Sequence, residues 1–279
     1  MNREPPSPGP GPRVDLHSHS TYSDGEHPPG DVARLAREAG LAALALTDHD
    51  CLDGWDAFQA AADRFEPVCG VEVSARYEKA DIHILGLFVD PGDATLRARL
   101  EDMARTREER LRTMVERLNR LGVELTEEQV RRQSPLGTVG RPHVAMALVA
   151  MGTVPSVDEA FRLYLRSKRP AYVPRPGPSP REAIAWIHGA GGAAVLAHPG
   201  LLRRREWIDV FAEWGLDGIE VWHPKHTPKT RAAMTLAARR LDLVPSGGSD
   251  YHGPSVGDSQ IGQEPVPLES LECLRRRRR

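Results

Sequence analysis

The sequence predicts an α/β fold, a distorted (β/α) barrel of seven strands with a helical insertion. Two observations predict it: apolar runs of four to eight residues recur along the chain, and a helical pattern follows most of them. The runs are continuous rather than alternating, which is typical of strands buried on both faces. The predicted strands are Arg13–His17, Ala42–Thr47, Pro67–Val73, Ile82–Val89, Ala193–Ala197, Gly218–Trp222 and Leu243–Ser246.

Helical patterns fill the intervals between most of these strands. We expect Asp31 to cap the first helix, because it follows Pro28 and Pro29. Alternation of strand and helix favours a barrel over a β-sandwich. The predicted connecting helices are Asp31–Ala39, Asp53–Phe65, Pro180–Gly189, Arg204–Trp214 and Pro228–Leu241.

The alternation stops between about Pro91 and Pro178, where the sequence is helical and rich in Arg and Glu. We interpret 91–178 as a helical insertion, a cap subdomain, between strands four and five. The catalytic barrel then consists of 13–90 and 179–270. The helices predicted in the insertion are Thr95–Leu121, Glu127–Gln133, Pro142–Met151 and Val157–Leu165.

The ends and the bulk composition narrow the class of protein. Residues 1–12 are rich in Pro and Gly and predict a disordered leader. Residues 271–279 predict a basic tail, and its closing run Arg275–Arg279 is expected to be solvated and frayed rather than RNA-binding. The net charge of −2 indicates no stable complex with long nucleic acid, and no apolar run is long enough to span a membrane. Three scattered cysteines indicate no disulfide framework, so we expect a cytoplasmic protein. We expect it to be a monomer or a small homo-oligomer.

Histidines and acids cluster where the predicted strands end. The carboxyl ends of barrel strands meet at one mouth, so we expect these side chains to converge there. His83 is the exception, because it begins its strand; an antiparallel hairpin through 74–81 would bring it to the same mouth. The residues at strand ends are His17, His19, Asp48, His49, Asp50, Glu72, His198, Glu220, His223, Asp250 and His252.

This convergence predicts a metal site. A single buried histidine is usually a hydrogen-bonded core residue, but several carboxylates in one cleft repel each other unless cations separate them. Imidazole and carboxylate together are a ligand set for divalent metals. Asp15, Asp48 and Asp50 flank the candidate ligands and are predicted to orient imidazoles. Cys51 and Cys69 are interpreted as buried bystanders.

Several motifs together resemble those of the PHP (polymerase and histidinol phosphatase) phosphoesterases. The motifs are Asp15–His19, Thr47–Asp50, Gly70–Glu72, Ala197–Pro199 and Gly248–His252. Tyr22–Gly25, Gly140–His143 and Glu220–Pro224 resemble the branch that contains 3′,5′-nucleoside bisphosphate phosphatases and 5′-3′ oligoribonucleases.

The resemblance implies a seven-stranded PHP barrel that binds three divalent transition metals, manganese first, with iron or zinc as alternatives. Carried over motif by motif, the implied ligands are His17, His19, Asp24, His49, Glu72, His83, His198, Asp250 and His252.

Four residues are candidates for contact with substrate. Arg141 and His143 would bind phosphate, although Pro142 could instead mark a helix start behind a surface arginine. His223 or His143 would protonate the leaving group. The turn at Ser249 predicts either a backbone anion nest or a flexible strand end. His226 is expected to face water, and Trp222 to belong to the core.

The function implied by the resemblance is metal-dependent hydrolysis of a phosphomonoester on a small nucleotide. The expected substrate is a nucleoside 3′,5′-bisphosphate that loses its 3′-phosphate, with 5′-3′ trimming of short oligonucleotides as a further activity. A histidinol-phosphate-type or other small-metabolite phosphatase is the alternative enzyme. A non-catalytic metal-binding module is the alternative outside enzymes.

Overall fold

The computed structural model describes residues 11–133, 139–174 and 176–279. The leader predicted over 1–12 lies outside the described residues, except for Gly11 and Pro12. No helix within the described residues combines the length and apolarity that crossing a bilayer requires.

Within the described residues, eight strands form one sheet that is nearly closed into a barrel, which confirms the predicted fold class. The strands are β1 Arg13–Asp15, β2 Ala43–Leu46, β3 Glu66–Tyr77, β4 Ala80–Leu87, β5 Ala193–Leu196, β6 Gly218–Trp222, β7 Val244–Gly247 and β8 Val266–Pro267. Their order across the sheet is β7-β6-β5-β4-β3-β2-β1-β8. Beyond β1, Leu16 N donates to Gly247 O (3.2 Å) and Asp250 N to His17 O (2.9 Å), so the end of β7 and the chain after it join the first strand.

The eighth strand was not predicted. β8 is two residues long and pairs with β1 in antiparallel orientation, with Val266 opposite Val14. Two residues carry no detectable periodicity, so only tertiary pairing identifies this strand.

The predicted antiparallel hairpin of strands three and four is confirmed. Gly70–Tyr77 of β3 pairs with all of β4, with Ser74 opposite His83 and the turn at Glu78 and Lys79. Both turn residues have positive φ angles, 44° and 71°. β4 also runs antiparallel to β5, whereas β1–β2–β3 and β5–β6–β7 are parallel.

Both faces of the strands are buried, which explains the continuous apolar runs. On β5, Ala193 and Val195 belong to the core inside the barrel, and Ala194 and Leu196 belong to the core between sheet and helices. The α-helices are α1 Pro29–Glu38, α2 Trp55–Ala61, α3 Ala94–Arg120, α4 Glu127–Arg131, α5 Arg141–Ala150, α6 Val157–Ala160, α7 Pro180–Gly189, α8 Trp207–Glu213, α9 Pro228–Arg240 and α10 Leu268–Arg277. A π-helical turn spans Phe161–Leu165, and a 3₁₀ turn spans Pro199–Leu201.

The cap predicted for the first helix was misplaced. Pro28 is the N-cap of α1, and Asp31 lies inside the first turn. Pro29 starts the helix earlier because its fixed φ suits the first helical position.

Helix α3 belongs to two hydrophobic cores. Near its start, Leu96 and Leu100 pack in the core between sheet and helices. Near its end, Leu111 and Met114 belong to a separate core built from residues between Leu111 and Ala171. The segment predicted as an insertion therefore has its own apolar cluster, connected to the barrel by one continuous helix.

The C-terminal segment is more ordered than the frayed tail we expected. α10 buries Leu271 and Leu274 against the barrel. Arg275 forms an ion pair with Glu66, and Arg277 with Asp242. Two leucines three residues apart anchor one face of an otherwise basic helix.

Candidate metal centre

The nine predicted metal ligands converge at the carboxyl-end mouth of the barrel. Within the described residues, three overlapping groups of side chains have candidate ligand atoms within 4.8 Å of one another. His198 joins them through its Nε2, 3.1 Å from Glu72 Oε1. The groups are His19, Asp24, His49 and His252; His17, His19, Glu72 and Asp250; and His49, Glu72 and His83.

The buried carboxylate of Glu72 lies at the centre of the cluster. Its Oε2 is 3.2 Å from the Nε2 atoms of His17 and His19 and 3.1 Å from His49 Nδ1. Its Oε1 is 2.8 Å from His83 Nδ1. His83 reaches this position because β4 is antiparallel to β3.

The donor geometry fits metal ions better than it fits hydrogen bonds. The Nε2 atoms of His17 and His19 are 3.1 Å apart, so two ring nitrogens point at each other. Glu72 Oε2 is buried, and no partner within the described residues meets the geometry of a hydrogen bond to it. The lone pairs of these imidazoles and carboxylates converge on shared points. Such an arrangement is typical of a binding site for divalent cations.

The electrostatics of the cluster keep its carboxylates charged. Burial alone would raise the pKa of Glu72, but the imidazoles of His49 and His83 hold that pKa well below its ordinary range. Burial would likewise raise the pKa of Asp24, but the imidazoles of His252 and His49 hold that pKa well below its ordinary range. Both groups are therefore in the anionic form that binds cations.

Glu220 supports the cluster, a role that the sequence analysis did not assign. Its Oε1 is 3.0 Å from His17 Nδ1, and its Oε2 accepts a hydrogen bond from the backbone N of His198 at 2.6 Å. This contact leaves His17 Nε2 directed at Glu72. The available signal was an acidic residue inside the apolar run of β6, where Glu220 is fully buried between Ile219 and Val221.

Asp15, Asp48 and Asp50 were predicted to orient imidazoles, but their hydrogen bonds within the described residues go to backbone amides, serines and an arginine rather than to the rings. Asp15 accepts hydrogen bonds from the backbone N of Ser249 (2.9 Å) and Gly262 (2.8 Å). Asp48 accepts from Ser20 Oγ (2.7 Å) and Ser23 Oγ (2.6 Å), and Asp50 accepts from the backbone N of Ser74 (2.6 Å). Backbone amides at strand ends and nearby serine hydroxyls need hydrogen-bond acceptors, and these three carboxylates accept from them.

His226 was expected to face water, but it is buried. Its Nδ1 is 3.0 Å from Val221 O, and its Nε2 accepts from Gly200 N at 3.0 Å. The imidazole thus joins two loops. Two further histidines have structural partners: His27 Nδ1 is 2.8 Å from the Tyr251 hydroxyl, and His188 Nε2 is 2.7 Å from Asp217 Oδ2.

The candidate phosphate-binding residues lie at the start of α5. Arg141 Nη2 is 3.2 Å from Asp81 Oδ2, and its guanidinium lies over the ring of Tyr172. His143 is buried and accepts from Gly140 N through Nδ1 at 3.0 Å, which places its ring proton on Nε2. Burial lowers the pKa of His143.

His223 and the Ser249 turn lie next to the candidate ligand Asp250. His223 Nε2 is 3.2 Å from Asp250 Oδ2, and its Nδ1 accepts from Lys225 N at 3.1 Å. The turn is neither an open anion nest nor a flexible end. Its amides are engaged elsewhere: Gly248 N donates to Trp222 O and continues the pairing of β6 with β7 (3.0 Å), and Ser249 N donates to Asp15 at the end of β1.

Several cavities border the described part of the cluster, and two of them have unlike linings. The larger, about 460 Å³, is walled by Met146, Val256 and Pro224 beside His223 and His252. The smaller, about 190 Å³, has three cationic side chains, which are Arg107, Arg110 and Arg141, together with Asp24, Asp81, His49 and His83. The cavities share a wall formed by Asp24, Pro142 and His143.

Comparison with known proteins agrees with this site. Residues 15–130 match the family model of the PHP domain. The chain is 39% identical, over 89% of its length and 90% of the relative, to a 3′,5′-nucleoside bisphosphate phosphatase of Chromobacterium violaceum. It is 35% identical, over 93% and 96% of the two chains, to a 5′-3′ exoribonuclease of Haemophilus influenzae.

A solved structure from Bifidobacterium adolescentis, described as a candidate metal-dependent phosphoesterase, has the same fold. It superposes with a TM-score of 0.88 at 33% identity and covers 98% of both chains. Barrel, cluster and relatives together define a metal-dependent hydrolase of phosphoric esters. The chain belongs to the PHP family.

Proposed function

We propose that this enzyme removes the 3′-phosphate of nucleoside 3′,5′-bisphosphates and trims short oligonucleotides in the 5′-3′ direction by the same chemistry. The names of the two relatives support this proposal. The observation that carries it is the pair of unlike cavities that meet at the metal cluster.

The two cavities suit different parts of one nucleotide. The larger cavity, with apolar walls at Met146 and Val256, is suited to a base. The smaller cavity, lined by Arg107, Arg110 and Arg141, is suited to a phosphate because guanidinium groups match its oxygens. A nucleotide whose scissile phosphate lies at the cluster then places its base in the larger cavity and its second phosphate in the smaller cavity.

The cofactors we propose are about three divalent transition metals, one for each ligand group, with manganese as the first candidate and iron or zinc as alternatives. Such ions, when bound, lower the pKa of a coordinated water and neutralise phosphate oxygens. The ligands proposed are the nine residues of the cluster. Glu220 holds His17 so that its Nε2 faces the site.

The remaining roles belong to side chains around the cluster. Arg141 is proposed to bind phosphate oxygens, exchanging its contact with Asp81 for the substrate. His143, whose ring proton lies on Nε2, is proposed to donate to a phosphate oxygen. His223 is proposed to protonate the leaving alkoxide through Nε2, the nitrogen held toward Asp250.

We further propose that 91–178 acts as a cap over the mouth. Arg107, Arg110, Arg141 and His143 come from this segment, and all four line the cavity beside His49 and His83. A cap excludes water and strengthens the charge interactions inside. It therefore favours a short substrate with a terminal phosphate.

The test is phosphate release with added Mn²⁺ from adenosine 3′,5′-bisphosphate, 3′-AMP, 5′-AMP, a 5′-phosphorylated trinucleotide and histidinol phosphate. We expect the bisphosphate to be the best substrate and the trinucleotide to be trimmed slowly. The Asp250→Asn variant is the control for contaminating phosphatase. Faster hydrolysis of histidinol phosphate would identify a small-metabolite phosphatase, and no release from any substrate would indicate a non-catalytic module.

A further inference from the structure

Arg107 on helix α3 reaches a loop of the metal centre 57 residues earlier in the chain. Its buried guanidinium donates through Nη2 to Asp50 Oδ2, and through the same nitrogen to Ser74 Oγ at 3.2 Å. Asp50 directly follows the candidate ligand His49, and Ser74 lies two residues after Glu72. One arginine thus contacts both segments that supply these ligands.

Asp50 joins those two segments. Its Oδ1 accepts from Ser74 N (2.6 Å), and its own N donates to Glu72 O (3.1 Å). Glu72 N in turn donates to Asp48 O (3.2 Å), and His49 Nδ1 lies 3.1 Å from Glu72 Oε2. The relative position of the two ligands therefore depends on Asp50.

The backbone of Asp50 has a conformation that requires support. Its φ is 52°, in the left-handed region that L-residues occupy at a cost in energy. Asp50 is also buried, so its carboxylate needs a partner. Arg107 supplies the positive charge, and Ser74 N supplies a hydrogen bond.

Arg107 lies at the boundary between the two cores that α3 connects. Met103, one turn earlier, packs in the core between sheet and helices, and Leu111, one turn later, packs in the core of the cap. Arg107 also lines the smaller cavity with Arg141 and His143. A shift of α3 would therefore move the Arg107 guanidinium relative to Asp50.

We propose that Arg107 is a positioning residue: through Asp50 and Ser74 it fixes His49 and Glu72 in metal-binding geometry. Cap placement and metal affinity are then coupled, and the coupling is reciprocal, so bound metal also stabilises the docking of α3. This inference rests on the proposed metal centre.

The test uses full-length protein stripped of metal, with Mn²⁺ affinity measured against a competing chelator and Tm recorded before and after loading. Arg107→Gln removes the charge, and Asp50→Asn turns an amide toward Arg107. We expect each variant to bind the ion of the His49–Glu72–His83 group roughly 10- to 100-fold more weakly, the usual cost of losing a supporting contact around metal ligands.

Arg131→Gln is the matched control, because Arg131 pairs with Glu108 between α3 and α4, on the exposed surface. Its Mn²⁺ affinity should equal that of the wild type. If Arg107→Gln does not fold, Ser74→Ala takes its place, since it keeps the Asp50–Arg107 pair and removes one contact. About fivefold weaker binding is then expected.

The outcomes separate the two proposals. If the wild-type protein binds no Mn²⁺, both the proposed metal centre and the proposed role of Arg107 are refuted. Wild-type binding with unchanged affinity in the Arg107, Asp50 and Ser74 variants would remove only the positioning role. A lower Tm of stripped Arg107→Gln with wild-type affinity would show a purely structural ion pair and would also overturn the inference.

Discussion

Glu220 Oε1 lies 3.0 Å from His17 Nδ1, although 203 residues separate the two in sequence. Both side chains are fully buried, and the other carboxylate oxygen of Glu220 accepts from the backbone N of His198. One carboxylate therefore orients the imidazole of His17, two residues after β1, and the loop after β5. A histidine whose Nδ1 is held in this way presents its Nε2 to a metal.

The first prediction concerns Glu220→Gln. An amide offers one acceptor oxygen instead of two, so either His17 or the backbone N of His198 faces an NH₂ group. We expect Mn²⁺ affinity to fall roughly 10- to 100-fold, measured by chelator competition.

Asp217→Asn is the control for Glu220→Gln. Asp217 Oδ2 also accepts from a histidine (His188, 2.7 Å) and a backbone N (Ala194, 2.8 Å), but at the opposite end of the barrel. This variant should lower Tm and leave Mn²⁺ affinity unchanged. Equal loss of affinity in both variants would indicate a general loosening of the fold.

The second prediction concerns metal content. Purified protein should contain about three equivalents of transition metal, one for each ligand group, because imidazole with carboxylate favours these ions over Ca²⁺ and Mg²⁺. Elemental analysis before and after chelation measures it, with phosphate release recorded in parallel. Activity that survives complete removal of metal would contradict the proposed centre.

The third prediction separates a metal ligand from a phosphate-binding residue. Asp250→Asn should abolish turnover and reduce metal content, because Asp250 lies in the His17–His19–Glu72 group. Arg141→Ala should keep its full metal content while kcat/KM falls by about 10²–10³, the cost of a charge-assisted phosphate contact in a closed site.

The control for Arg141→Ala is Asp81→Asn, which releases Arg141 from its partner without removing it. Its kcat/KM should be close to the wild-type value. Unchanged kinetics in Arg141→Ala would assign this arginine to the surface contact with Asp81 and Tyr172 alone.

The fourth prediction concerns substrate size. A cavity of about 190 Å³ between His83 and the arginines of the proposed cap is of a size that favours a terminal phosphate over a continuing strand. We expect rapid release from a nucleoside 3′,5′-bisphosphate, slow trimming of oligonucleotides of a few residues, and intact circular single-stranded DNA after long incubation. Gel analysis of the circle is the measurement, and nicking of it would indicate an open cleft.

Much of the site was predictable from local sequence. His17, His49, Glu72 and His198 follow or end apolar runs, and the carboxyl ends of barrel strands converge whatever the details of packing. His83 was informative for the opposite reason. Its position at the start of a run predicted an antiparallel strand, which the β3–β4 pairing confirms.

Only the tertiary structure decides which partners the buried polar groups have. Nothing local in the sequence relates Glu220 to His17 or Arg107 to Asp50, because these contacts depend on how elements 203 and 57 residues apart approach one another. The burial of His226 and the packing of α10 are decided in the same way. The hydrophobic periodicity of the sequence predicts which face of a helix or strand is buried, and its motifs predict which chemical groups that element carries. The partner of each buried charge is decided by packing, because a buried charge must be matched by whichever polar group the fold brings within reach.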